Sequence, residues 1–189
     1  MLMSVSILNN TIKALKTGNS ILYPTDTVWG LGCDATNETA VADIYKIKNR
    51  VASKSLIILV DSFEMLSQYI PNIPANLEGI LAKAKKPTTI IYRDPVGLPS
   101  NCIASDNTIA IRIVQNDFCK QLIEKFGKPI VSTSANVSGE STPKSFSEIS
   151  KTILDSVDYI VNLQQDKIAA ASSKILRITK NNEVEVIRE

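Results

Sequence analysis

Residues 132–139 read Ser-Thr-Ser-Ala-Asn-Val-Ser-Gly, four hydroxyls, one amide and a closing glycine in eight positions. They follow the apolar run Pro129-Ile130-Val131, at the end of an expected buried strand, where small hydroxyl and amide side chains suit phosphate oxygens. Ala135 and Gly139 add little bulk, so the backbone can approach a ligand closely. Taken alone, the stretch reads equally well as a polar turn, since Ser and Asn are ordinary turn formers. A second segment, Lys48-Asn49-Arg50, offers the countercharge. With Lys46 and Lys54 it places four positive charges in nine residues, with only Asp43 nearby. At the end of a helix such cations complement the dipole, yet an anion is also their natural partner.

Two more clusters share this placement near strand ends. In Thr108-Ile-Ala-Ile-Arg112, strand alternation puts Thr108, Ala110 and Arg112 on one face and three isoleucines on the other. An arginine there either meets a carboxylate or phosphate or faces solvent on a half-covered sheet, because burying it unpaired is costly. In residues 23–34, Pro24 ends a strand, Thr25 and Thr27 present hydroxyls, and Gly30 and Gly32 allow a tight path. By themselves these residues fit a strand-loop-strand corner whose threonines bond local backbone.

The chain contains no histidine, which removes the Ser-His triad, the usual general base and His-ligated metals. Its three cysteines, Cys33, Cys102 and Cys119, show no CxxC spacing and are odd in number, against a disulfide framework or a zinc site. Cys119, beside Phe118 and Leu122, is expected in the core. Gly127-Lys128 lacks the spacing of a P-loop, and Gly30-Leu-Gly32 is too short for a dinucleotide fingerprint. Any chemistry must run on Lys, Arg, carboxylates, hydroxyls and backbone dipoles.

The elements that position these clusters follow from periodicity. Helices are expected over 10–17, 37–48, 76–84, from an Asp61 cap to Pro71 with Glu64 closing a capping box, from an Asn116 cap to Phe126, and from Ser145 through Leu154. Strands are expected over 20–24, 56–60, 88–92, 108–114 and 159–161. A C-terminal hairpin, 174–179 with 184–188, turns at Asn181-Asn182. Segment 93–107, with Pro95, Gly97 and Pro99, reads as a loop. The class is α/β with a mixed sheet. The chain has 189 residues, 44% hydrophobic and 21% charged, with no repeat or linker, which fits one domain spanning 1–189. A net charge of +2 is too small for a nucleic-acid-coating protein. No apolar stretch approaches the roughly 20 residues of a membrane span, and residues 1–10 do not resemble a secretory signal, so a cytoplasmic location without membrane contact is expected.

The four clusters in this order, above all Pro24-Thr-Asp-Thr-Val-Trp-Gly-Leu-Gly-Cys-Asp34 and Gly127-Lys-Pro-Ile-Val-Ser-Thr-Ser-Ala-Asn-Val-Ser-Gly139, resemble the YrdC-like family of threonylcarbamoyl-AMP synthases, in particular its short single-domain bacterial form. The family's KxR and SxN signature reads here as Lys48, Arg50, Ser134 and Asn136, which the resemblance makes the catalytic set. It implies an open twisted sheet around a concave groove. It further implies synthesis of threonylcarbamoyl-AMP and pyrophosphate from L-threonine, bicarbonate and ATP, with partner proteins carrying the group onto tRNA as N6-threonylcarbamoyladenosine. By resemblance, Lys48, Arg50, Lys54, Thr108, Ser134, Asn136 and Thr142 would hold ATP, and Thr25, Thr27, Arg112 and Ser132 would hold threonine. Magnesium would arrive on the ATP, with no tightly bound protein metal site. The chain departs from the family at Val51 and Ser55, both commonly proline, at Leu59, a histidine in longer members, and at Ala84-Lys85-Lys86, which replaces a glycine turn. Lys83, Lys85, Lys86 and Arg93 then form a basic rim suited to weak RNA contact. An RNA-binding module of this fold without synthase activity is the alternative.

Overall fold

The elements arise where apolar spacing and capping chemistry agree, and the computed structural model describes residues 2–50, 56–170 and 172–189. The helices are α1 Leu2–Lys16, α2 Glu38–Ile47, α3 Phe63–Tyr69, α4 Leu77–Ala82, α5 Asp117–Phe126 and α6 Lys151–Ser156. Nine strands form one sheet: β1 Ile21–Tyr23, β2 Gly30–Gly32, β3 Ile57–Val60, β4 Thr88–Arg93, β5 Thr108–Ile113, β6 Ile130–Ser134, β7 Tyr159–Ile160, β8 Lys174–Ile178 and β9 Val184–Arg188. Their order is β7-β1-β2-β6-β3-β5-β4-β8-β9. The pairs β1/β7, β3/β5 and β4/β8 are parallel and the rest antiparallel, so the sheet is mixed and its two edges are β7 and β9.

The core lies where the central strands meet the helices. Ile58, Leu59 and Val60 of β3, Ile109 and Ile111 of β5, and Ile130 and Val131 of β6 are buried in one cluster with Leu122 and Ile123 of α5. Leu59, at the departure position, is one of these core residues. Cys33, Cys102 and Cys119 are all buried thiols. A second apolar cluster forms around Trp29, Leu22, Ala135, Ile149 and Ile153, with the Trp29 ring 4.9 Å from that of Phe146.

Several expectations need correction. The first helix begins at Leu2 rather than Asn10. The cap of α3 is Ser62, whose Oγ accepts from the Met65 amide at 3.1 Å; Asp61 instead accepts from the Ser62 hydroxyl, so no capping box forms with Glu64. The helix expected from Ser145 is a short 3₁₀ turn, Phe146–Glu148, and then α6. Between them Ile149 is extended, and its side chain is buried in the Trp29 cluster, a tertiary contact that outweighs helical continuity.

β2 is three residues long and has no apolar run to announce it. Its glycines permit it. A Cβ at Gly32 would lie 1.9 Å from the Val131 carbonyl oxygen, and one at Gly30 would lie 2.9 Å from Thr25 Cγ2. The Tyr23 ring packs against both glycines, and its hydroxyl donates to the Val131 carbonyl at 3.2 Å. Gly32→Ala should therefore lose at least about 3 kcal/mol of stability in urea unfolding, because a main-chain oxygen cannot step aside. Gly79→Ala, whose Cβ meets nothing within 4 Å in α4, should gain about 0.5–1 kcal/mol.

Candidate active site

Lys48 and Arg50 take opposite paths from one helix end. α2 closes in a left-handed cap: Asn49 has φ 48°, its amide donates to the Lys46 carbonyl, and the Arg50 amide donates to the Tyr45 carbonyl, both at 3.0 Å. Lys48, before the turn, points inward and is 2% exposed. Its Nζ donates to the Ser134 carbonyl at 2.5 Å and the Asn136 carbonyl at 2.6 Å. Its own carbonyl accepts from the Ser138 amide at 2.8 Å. Lys48 thus ties the end of α2 to the loop after β6 at three points. Arg50, beyond the turn, reaches a cavity and directs Nη1 at Thr133 Oγ1, 3.5 Å away.

That cavity, of about 250 Å³, is walled by Thr25, Thr27, Arg50, Arg112, Ser132, Ser134 and Thr142 from the sequence-derived set. Register builds its floor. Ser132 pairs with Ile57, and Ile57 with Ala110, in one row across β6, β3 and β5; Arg112 follows two residues along. Thr25 spends its hydroxyl locally, donating to the Val28 carbonyl at 2.7 Å and accepting from the Thr27 amide at 3.2 Å. Thr27 projects from the corner so held. The Thr27 carbonyl in turn accepts from the Ala170 amide at 2.8 Å, which draws the 162–170 segment across this end.

Three members of the set do not line the cavity. Lys48 is occupied as described. Asn136 organises the following loop, its Nδ2 donating to the Val137 and Glu140 carbonyls, while its buried Oδ1 has no hydrogen-bond partner among the described residues. Thr108 sits at the start of β5 and donates to Asp106 Oδ1 at 2.6 Å. Lys54 lies outside the described residues, as do Val51 and Ser55.

Four contributors went unnoticed in the sequence. Ser172 and Ser173 line the cavity just before β8, and Arg188 of the edge strand β9 reaches it while donating to the Ser173 carbonyl at 2.7 Å. The paired serines repeat the hydroxyl-rich strand-end pattern; nothing local marks Arg188. The fourth is Asp26, between the two threonines already singled out. Its side chain and that of Arg112 are each 3% exposed, with 3.6 Å between Oδ2 and Nε. Asp26 is the carboxylate that Arg112 called for.

The wall therefore carries three guanidinium groups and a row of hydroxyls with no carboxylate among the described residues, a surface made for a polyanion. The basic set separates from it. Lys83, Lys85 and Lys86 line a different groove of about 510 Å³ between α4 and the C-terminal hairpin, and Arg93 sits at the end of β4 beside Thr108. Among the described residues no helix is long and apolar enough to cross a membrane, and no group of three or more His, Cys, Asp or Glu could hold a metal.

A sequence profile for Sua5, YciO and YrdC, described as "Telomere recombination", matches residues 13–189. A protein named threonylcarbamoyl-AMP synthase from Pseudoalteromonas translucida (strain TAC 125) is 35% identical over 154 residues, 80% of this chain and 82% of its own. One of the same name from Aliivibrio fischeri (strain ATCC 700601 / ES114) is 36% identical over 151 residues, 78% and 82%. The structure of P. abyssi Sua5 complexed with L-threonine superposes with a TM-score of 0.82 at 26% identity over 96% of this chain; the chain spans 53% of that protein. E. coli YciO shares the fold, with a TM-score of 0.83 at 22% identity over 97% of this chain and 89% of its own.

Burial, and after it the neighbouring Arg50 charge, together lower the Lys48 pKa from 10.5 to about 8. The unfolded chain keeps this proton to about 10.5, the folded chain only to about 8, so within that window the unfolded state binds more protons and stability rises with pH. Groups common to both chains cancel in a comparison with Lys48→Met. The stability difference, wild type minus Lys48→Met in urea, should grow by about 2 kcal/mol from pH 7.5 to pH 10. A flat or falling difference would contradict the buried clamp.

Proposed function

The chain belongs to the Sua5/YciO/YrdC family, and from that premise we propose that it is a threonylcarbamoyl-AMP synthase. The observation that carries the reading is the convergence of Arg50, Arg112 and Arg188 with the hydroxyls of β6 on one cavity. In the proposed reaction the threonine amine adds to bicarbonate with loss of water, giving a carbamate. A carbamate oxygen then bonds to the α-phosphorus of ATP as the bond to the β-phosphate oxygen breaks and pyrophosphate leaves. No covalent nucleophile or histidine is required, because the attacking oxygen is already anionic. Catalysis rests on positioning and charge stabilisation.

The residues divide by place. Arg112, Thr27 and Ser132 take threonine, with the guanidinium on its carboxylate and Thr25 shaping the corner. Arg50, Ser134, Thr142 and Arg188 take the triphosphate, where guanidinium charge stabilises the departing pyrophosphate. Lys48 and Asn136 act by setting the path of the Ser134 loop; Thr108 and Lys54 complete the ATP set. Magnesium enters on the ATP phosphates as part of the substrate, since the described wall residues offer hydroxyls and no carboxylate. The product passes to partner proteins that modify tRNA, in the cytoplasm, and the lysine-lined groove makes weak, salt-sensitive contact with RNA.

An assay with threonine, bicarbonate and α-labelled ATP should release pyrophosphate only when all three are present. Release indifferent to threonine would refute the reading, and salt-dependent tRNA binding without turnover would favour an RNA-binding module. Arg50→Ala should lower kcat/KM by about 10²–10³, the scale of a lost charge-stabilising donor, at an unchanged melting temperature.

A further inference from the structure

The loop between β1 and β2 carries an acidic side chain at its apex that turns away from the hydroxyls beside it. Thr25 and Thr27 line the cavity, whereas the Asp26 side chain is buried behind the wall. Asp26 Oδ1 accepts from the Gln115 amide at 3.2 Å and also from the Asn116 amide, the cap residue of α5. Its Oδ2 faces Arg112 Nε at 3.6 Å, and neither of these two atoms has a hydrogen-bond partner among the described residues.

This one carboxylate joins three parts of the fold. It ties the threonine-bearing corner to the junction after β5, and it balances the guanidinium of Arg112. A buried guanidinium without its counterion is strongly destabilised, so Arg112 would otherwise be driven from its place in the wall. At 3.6 Å the pair attracts by charge while lying beyond hydrogen-bond range, so Asp26 steers the guanidinium without consuming a donor.

We propose that Asp26 is a positioning residue for amino-acid recognition: it holds Arg112 in the orientation that receives the carboxylate of threonine and keeps Thr27 in register with it. This deepens the synthase reading and rests on it. ATP recognition, which falls to Arg50, Ser134, Thr142 and Arg188, is independent of Asp26.

Asp26→Asn keeps the shape and the oxygen that accepts the two amides but removes the charge. In a pyrophosphate-release assay it should raise KM for threonine at least tenfold and change KM for ATP less than twofold. In a double-mutant cycle with Arg112→Lys the two losses should be strongly non-additive. An unchanged threonine KM, or parallel rises for threonine and ATP, would overturn the proposal. If Asp26→Asn fails to fold, Asp26→Asn/Arg112→Gln, which buries no unpaired charge, must fold; its failure would place the role of Asp26 in the backbone and overturn the proposal too. A wild-type chain without threonine-dependent turnover would remove the synthase reading and this inference together, whereas an active wild type with an unaffected variant removes only the inference.

Discussion

A single buried ammonium holds the candidate site together. The Lys48 side chain enters from the end of α2 and donates to the carbonyl of Ser134, the last residue of β6, and to that of Asn136 in the loop beyond. The Ser134 carbonyl also accepts from the Asn136 amide at 2.9 Å, and the ammonium adds a charge-assisted bond to each carbonyl, stronger than a neutral one. Bridging both carbonyls with one cation joins segments 86 and 88 residues apart in sequence. The cost is desolvation of that cation, visible in its lowered pKa.

The same helix end decides what Arg50 does. Because Asn49 adopts a left-handed conformation, the chain reverses between Lys48 and Arg50, so adjacent members of one basic motif perform different tasks. Lys48 becomes part of the scaffold, and Arg50 becomes part of the wall. A motif that reads as two phosphate ligands splits in three dimensions, one side chain bracing the loop after β6 and the other facing the cavity.

The wall shows a second economy of charge. Its guanidiniums come from three separate regions: the end of α2, the middle of β5 and the sheet edge at β9. Arg112 is balanced from behind, by Asp26, and hydroxyl side chains stand between the cations. Positive charge therefore faces the cavity with no carboxylate among the described lining residues, a preorganised setting for an incoming polyanion.

The amino-acid order by itself determined the α/β class, most helices and strands, the hairpin at Asn181-Asn182 and seven cavity residues, because these depend on local periodicity, capping and short polar runs. For Arg112 it left two outcomes open, an anionic partner or solvent. Only the tertiary structure decided which one, because Asp26 meets it across the sheet rather than along the chain. The inward turn of Lys48, the arrival of Arg188 from an edge strand, the three-residue β2 and the break before α6 were likewise settled by register, burial and close backbone approach. Such contacts join residues far apart in order, and no local pattern along the chain carries them.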